Sequence, residues 1–242
     1  MQGYVERVQR LLHGEQIDWR FEGKDRKIGF LNPDLGLINL EDQVPLWVSA
    51  FGPKAKQLTA ELGAGWLNFG AQGAKQSLIE MQEIWESSGR SREALAANLF
   101  FLGAVLTGDE ETDNQKLMKE AGPLTAVMFH NMADEVGAMG GANLPTGPLS
   151  NVIAEYLAIH EKYEPEDARY LTNHRGHLMY VRPEETHITP ELVKSTTMSG
   201  SREDLILQIR ELRDIGYDQV TIQLVHGVED AIEEWADVFQ AI

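Results

Sequence analysis

The chain has 242 residues and a mass of 27.1 kDa, enough for one large domain or two small ones with a sizeable core. Its 43% hydrophobic and 24% charged residues exclude disordered, collagen-like and coiled-coil classes. The lack of cysteine excludes disulfides, zinc–thiolate sites, iron–sulfur clusters and cysteine nucleophiles, and the net charge of −17 disfavours nucleic acid as a partner.

The sequence also lacks the signals of membrane insertion and secretion. No apolar run approaches the roughly 18 residues that a membrane helix needs. The N-terminal segment has no continuous apolar stretch followed by a small-residue cleavage site. We therefore expect a cytoplasmic protein that binds neither membranes nor nucleic acid.

The first 43 residues show one clear element. Apolar residues over positions 5–12 recur with the period of a helix, and Gly14 follows where a C-cap glycine belongs. Residues 16–43 hold turn signals between short apolar patches, which predicts a long irregular connection.

Strands and helices then alternate. The apolar run at 44–50 predicts a buried strand, and residues 54–62 have helical spacing before Gly63. A second strand is predicted at 66–69 and a second helix at 76–87. A third strand is predicted at 98–107, followed by an acidic helix start at 109–113.

The C-terminal part continues this alternation. The Gly/Pro-rich segment 137–148 predicts a loop within one domain that spans residues 1–242. Ser201 and Asp204 resemble a capping box ahead of a helix that ends at Gly216, and residues 219–225 predict a last strand. Four such units indicate an α/β fold with a parallel sheet, either doubly wound or a β/α barrel.

Three segments carry a family resemblance. VPLWVSAFGPKAKQLTAELGAGWLNFG (44–70) and TTMSGSREDLILQIRELRDIGYDQVTIQL (196–224) resemble the bacterial luciferase-like family of flavin- and F420-dependent oxidoreductases, and LLHGEQIDWRFEG (11–23) is similar to the stretch before that family's fifth strand. The resemblance implies a luciferase-like β/α (TIM) barrel that lacks its first four strands, and is therefore partial.

The same resemblance implies a function. A member of this family uses reduced FMN or coenzyme F420 to transfer hydride or to activate oxygen on a small organic substrate, as a monooxygenase or a methylenetetrahydromethanopterin reductase-like enzyme does. The cofactor carries the chemistry, so no catalytic side chain is implied. The alternative is a non-catalytic flavin-binding or oligomerising relic of the barrel.

The turn after the first strand of this region is the candidate cofactor site. Backbone amides that lead into a helix N-terminus can bind an anion. The resemblance assigns the phosphate of FMN or F420 to five consecutive residues: Ser49, Ala50, Phe51, Gly52 and Pro53. From the residues alone, an ordinary turn shaped by Gly52 and Pro53 is the favoured interpretation, and only the resemblance reverses that preference.

A second candidate is the segment NHRGH, residues 173–177. Arg175 is a candidate contact for an anionic group of the substrate. A metal site formed by His174, His177 and His187 is not predicted, because an apolar strand-like run and Pro183 separate these residues and none has i, i+4 spacing.

A homodimer is also expected. The resemblance implies pairing through barrel helices. If the first four strands are absent, the apolar faces of Val48, Phe101 and Ile222 would be exposed, and such faces favour association.

Overall fold

The computed structural model describes residues 2–42, 44–138, 147 and 149–242. Its α-helices are α1 (Gln2–Leu12), α2 (Pro53–Leu62), α3 (Ala74–Ser87), α4 (Glu110–Lys116), α5 (Gly122–Ala138), α6 (Ser150–His160), α7 (Arg169–Asn173), α8 (Pro190–Thr196), α9 (Arg202–Ile215) and α10 (Ala231–Phe239). Its strands are β1 (Ile17–Phe21), β2 (Lys24–Ile28), β3 (Trp47–Ser49), β4 (Gly65–Phe69), β5 (Ala97–Phe101), β6 (Val105–Leu106), β7 (Gly200–Ser201) and β8 (Gln219–Ile222). No helix within these ranges is long and apolar enough to cross a membrane.

The chain divides into two compact units. The first unit contains Met1–Asn68 and Gln76–Asn98, and the second contains Phe69–Lys75 and Leu99–Ile242. Strands β3, β4, β5 and β8 form a four-stranded sheet in that order.

The prediction of an irregular connection over 16–43 was wrong for residues 17–28, whereas the described residues 29–42 contain no strand or α-helix. β1 and β2 pair antiparallel, with Ile17 opposite Ile28 and Phe21 opposite Lys24. The two residues between them, Glu22 and Gly23, have φ values of 52° and 73°. Positive φ at both positions is what a two-residue hairpin turn of type I′ requires, so Gly23 after Glu22 is the local signal for the hairpin.

The first predicted strand–helix–strand unit is confirmed. β3 and β4 pair in parallel, with Trp47 opposite Gly65 and Ser49 opposite Leu67, and α2 connects them. A Cβ on Gly65 would lie 2.6 Å from the Trp47 ring, so glycine permits this close pairing. β3 is shorter than the predicted strand at 44–50, because Val44 is exposed and is not paired with another strand among the described residues.

The single strand predicted at 98–107 was wrong. The structure has two strands there, β5 and β6, separated by residues 102–104. β6 pairs in parallel with β7 instead, Val105 lying opposite Gly200. The break is at Gly103, where a Cβ would lie 1.9 Å from the Met198 carbonyl oxygen, so only glycine fits.

Two further expectations about the second unit fail. Phe101 is fully buried, with its ring 5.8 Å from that of Trp235, so it offers no exposed face for a dimer. The strand expected just after the NHRGH segment is absent from the described structure, and Leu178 there has a φ of 56°. The homodimer itself stays a prediction. The predicted loop at 137–148 lies largely outside the described residues.

Candidate functional site

The turn between β3 and α2 is held by the neighbouring strand. The Ala50 N–H donates to the Leu67 carbonyl (3.3 Å), and the Ala50 carbonyl accepts from Trp66 Nε1 (2.8 Å). Ala50 and Trp66 are both fully buried. Because its N–H is already engaged, Ala50 shapes the turn and does not offer that group to a ligand. Trp66 belongs to the core.

Gly52 and Pro53 form the start of α2. Gly52 is the N-cap residue with extended φ and ψ of −87° and 162°, and Pro53 is at the first helical position. The Gly52 carbonyl accepts from Ala55 N (3.1 Å) and Lys56 N (3.0 Å). These bonds close the first turn of the helix, and Pro53 has no N–H to contribute.

The outer face of this turn is open. A Cβ on Gly52 would meet no heavy atom within 4 Å, and Phe51 is 59% exposed. In the described ranges, we find no acceptor for the N–H groups of Gly52 and Lys54. The amides, the positive end of the α2 dipole and the exposed Lys54 side chain together suit an anion such as a phosphate. Of the five expected residues, Gly52 fits a cofactor phosphate, together with Lys54, which lies outside that set, whereas Ala50 and Pro53 offer no free N–H group.

The structure buries a different arginine from the one expected. Arg175 is exposed, and its backbone N–H donates to the Thr172 carbonyl (3.1 Å). Arg182 is 4% exposed instead, and its guanidinium Nη2 donates to Glu185 Oε1 (2.7 Å) and to the Tyr156 hydroxyl (3.1 Å). The substrate-contact assignment to Arg175 therefore stays a prediction without a supporting contact.

Glu185 is the centre of a buried polar cluster. Its Oε1 lies 2.5 Å from His130 Nε2, and its Oε2 accepts from the Arg182 backbone N–H (2.7 Å). Burial alone would raise the pKa of Glu185, but hydrogen bonds from His130 and Arg182 outweigh it and lower the pKa to about 2. The carboxylate is therefore ionised at neutral pH.

The cluster continues towards the surface through Asn173. The Asn173 side-chain amide donates to the His130 carbonyl (3.0 Å) and to Asp134 Oδ1 (2.9 Å), and its carbonyl accepts from the Tyr156 hydroxyl. Asp134 Oδ2 lies 2.5 Å from His174 Nε2. These hydrogen bonds therefore fix the orientation of the Asn173, Asp134 and His174 side chains.

A cavity of about 720 Å³ lies beside this cluster in the second unit. Its wall combines apolar and charged side chains, among them Met118, Met179, Val181, Ile188, Arg182 and Glu185. A mostly apolar space with a few fixed polar groups is typical of a small-molecule site. Arg175 is not among the described residues that line it.

Sequence reasoning missed Arg182 although one local signal exists. Arg182 and Glu185 are three residues apart in RPEE, a spacing that allows an ion pair. Nothing in the spacing connects them to His130 or Tyr156, which lie on α5 and α6.

Solved structures of known proteins are similar to this chain. The F420-dependent tetrahydromethanopterin reductase of Methanopyrus kandleri matches with a TM-score of 0.55 and 11% identity over 91% of this chain and 55% of that chain. An F420-dependent secondary alcohol dehydrogenase in complex with an F420-acetone adduct matches with a TM-score of 0.53 and 15% identity, over 99% of this chain and 60% of that chain. A riboflavin lyase with modified FMN and riboflavin matches with a TM-score of 0.52 and 13% identity, over 98% of this chain and 55% of that chain.

These likenesses concern the fold alone, because the identities are low. The chain spans little more than half the length of each of these structures. They confirm the predicted partial luciferase-like β/α barrel.

No curated protein matches the chain. The family model described as luciferase-like monooxygenase matches residues 1–219. The chain therefore belongs to the luciferase-like monooxygenase family.

Proposed function

We propose that this chain is part of a flavin-type oxidoreductase and that its β3–α2 turn binds the phosphate of FMN or F420. The observation that carries the proposal is the open N-terminus of α2 at Gly52, directly after a strand of a parallel pair. The similar structures support it, since two of them are F420-dependent and a third contains modified FMN.

The residues of the turn have separate roles in this proposal. The N–H groups of Gly52 and Lys54 donate to the phosphate, and the Lys54 ammonium adds positive charge. Ala50 and Trp66 hold the turn in place through their mutual hydrogen bond. When bound, the cofactor supplies hydride transfer or oxygen chemistry, and no side chain of the described part is assigned a catalytic step.

The cavity beside Arg182 and Glu185 is the proposed place for a small organic substrate. Its apolar wall would bind the carbon skeleton, and a polar group of the substrate would lie near Arg182, which is one of the lining residues. The Arg182 positive charge is largely offset by Glu185, so a neutral or weakly polar substrate suits the cavity better than a strong acid.

Binding titrations with FMN, riboflavin and F420, followed by flavin or deazaflavin fluorescence, test the proposal. FMN should bind at least about tenfold more tightly than riboflavin, because charge-assisted hydrogen bonds to the phosphate contribute about 1.5–3 kcal/mol. Equal affinity for FMN and riboflavin, with no binding of F420, would contradict the assignment of the phosphate to this turn. Binding of none of the three would overturn the proposed function.

Gly52→Asp and Gly52→Asn form a matched pair for the same test. Both side chains fit the open space and both are good N-cap residues, so the two variants should be equally stable. The aspartate adds a negative charge beside the phosphate, and we expect it to weaken FMN or F420 binding about tenfold more than the asparagine does. Riboflavin binding should not distinguish the two variants. Tight binding of FMN or F420 without any reaction of the reduced cofactor would favour the non-catalytic alternative.

A further inference from the structure

Three histidines from separate parts of the second unit converge. His130 lies on α5, His174 is the C-cap residue of α7, and His177 follows in the next turn. One ring nitrogen of each lies within 4.8 Å of those of the other two. None of the three belongs to the β3–α2 turn, so a role for this histidine cluster is independent of the proposed function.

The spacing of His174 and His177 fits a shared metal ion. Their Nδ1 atoms are 3.2 Å apart. Two nitrogen ligands of a tetrahedral Zn²⁺, each about 2.0–2.1 Å from the ion, lie roughly 3.3 Å from each other. The two imidazoles therefore have the separation that one ion would impose.

Carboxylates hold the other nitrogens of two of these rings. Asp134 Oδ2 lies 2.5 Å from His174 Nε2, and Glu185 Oε1 lies 2.5 Å from His130 Nε2. Metal-ligating histidines are typically oriented in this way, with one nitrogen bonded to a carboxylate and the other to the metal. Asn173, fully buried, fixes Asp134 in turn with a hydrogen bond of 2.9 Å.

The remaining nitrogen of His130 needs a partner. His130 is 1% exposed, and its Nδ1 has no hydrogen-bond partner among the described residues. A buried, unpaired ring nitrogen costs free energy unless a ligand satisfies it. Since Nε2 is engaged with Glu185, Nδ1 is the nitrogen that is free to bind an ion.

The local charge favours a cation. Asp134 and Glu185 contribute two negative charges, and Arg182, whose Nη2 lies 3.2 Å from His130 Nε2, contributes one positive charge. With neutral imidazoles the cluster has a net charge of about −1. Three imidazole ligands suit a borderline divalent ion such as Zn²⁺ and are poor ligands for Mg²⁺ or Ca²⁺.

We propose that His130, His174 and His177 bind one divalent transition-metal ion, with Asp134 and Glu185 as positioning residues. Three protein ligands leave a further coordination position for water or another small ligand. The ion would connect α5 to the segment after α7. The competing arrangement is a direct N–H···N hydrogen bond between His174 and His177, which would bind no ion.

The test uses the full chain without an affinity tag, stripped of metal with a chelator. Zn²⁺ binding is measured by isothermal titration calorimetry and Co²⁺ binding by its visible absorption spectrum. We expect one ion per chain, with the intense absorption of tetrahedral Co²⁺. Binding at less than one equivalent, or the weak spectrum of octahedral Co²⁺, would overturn the proposal.

Variants locate the site. His177 is exposed, so His177→Gln should fold normally, as checked by circular dichroism, and should weaken Zn²⁺ binding more than 100-fold. Asp134→Asn should weaken it by about 10–100-fold, the usual effect of losing a residue that orients a ligand. His226→Gln is the matched control, since His226 is an exposed histidine of the same unit outside the cluster, and it should leave the affinity unchanged. Equal Zn²⁺ affinity of the His177→Gln variant and the natural chain, or equal weakening by His226→Gln, would refute the site.

Discussion

Lys56 Nζ on α2 lies 2.9 Å from Glu80 Oε2 on α3, although Lys56 is almost completely buried. Nζ also donates to the Ser77 carbonyl (3.1 Å) and to Ser77 Oγ (3.0 Å), so all three ammonium hydrogens have acceptors. Glu80 remains half exposed, and the hydrogen bond from Lys56 lowers its pKa. The burial of the lysine is therefore compensated by a complete set of hydrogen bonds between the two helices.

Replacing this lysine should destabilise the first unit. Lys56→Met keeps most of the apolar stem but removes the donor from Ser77, and an unsatisfied buried acceptor costs about 1–3 kcal/mol. Lys54→Met on the same helix removes an exposed ammonium and should change the free energy of unfolding by less than about 0.5 kcal/mol. Urea denaturation of both variants measures the difference. Equal midpoints for the two would show that the buried hydrogen bonds contribute nothing.

Gly103 should not tolerate alanine. The added Cβ would lie 1.9 Å from the Met198 carbonyl oxygen, a backbone atom that moves only if the connection to β7 moves with it. We expect Gly103→Ala to cost about 3 kcal/mol, at the upper end for overpacking. Gly200→Ala is the control, because its Cβ would make an ordinary contact of 3.4 Å with Asp204 Cβ. Thermal unfolding curves should separate the two variants clearly, and a Gly103→Ala melting temperature close to that of Gly200→Ala would contradict this close packing.

Glu120 should make stability depend on pH. It lies in the π-helical turn Leu117–Ala121, with Lys116, Lys119 and Glu234 nearby, and burial raises its pKa from 4.5 to about 7. Between these pH values the folded state holds a proton that the unfolded state has lost, so this residue's contribution to stability falls as the pH rises and is lost above about 7.

The variant that tests this is Glu120→Gln, which cannot ionise. We expect it to resemble the natural chain below about pH 4.5 and to be more stable above pH 7, by about 1–3 kcal/mol. Denaturation at pH 5 and pH 8 measures this difference. Glu233→Gln, at an exposed position of α10, serves as the control and should show no such change with pH. A Glu120→Gln effect that is the same at both pH values would exclude the raised pKa.

Ser201 should stabilise α9 as its N-cap. Ser201 Oγ accepts from the Asp204 N–H (3.2 Å) and donates to Asp204 Oδ2 (2.7 Å). Ser201→Ala removes both bonds and should cost about 1 kcal/mol, whereas Ser201→Thr keeps the hydroxyl and should restore most of that stability. Chemical denaturation compares them. If threonine destabilises as much as alanine, the hydroxyl is not the stabilising group.

Much of the local structure was predictable because it depends on neighbours in the sequence. Periodic apolar residues and end signals predicted α2, α3 and α9 to within two residues at each end, including the Ser201 cap. The hairpin of β1 and β2 was missed although Glu22-Gly23 marks it. The order β3-β4-β5 agrees with the succession of strands and helices, since short connections place consecutive strands side by side. β8 lies beside β5 although residues 102–218 separate them in the chain.

Tertiary packing decided what depends on residues far apart in the chain. The contact of Gly103 with the Met198 carbonyl separates β5 from β6, and no local pattern contains that contact. Burial selected Arg182 over Arg175 because Glu185 and Tyr156 surround only Arg182 with partners. The sequence alone predicted α2, α3, α9 and β4, since these elements follow from local spacing and caps. Only the tertiary structure brought His130 to His174 and His177, because the packing of α5 against the segment after α7 sets those distances.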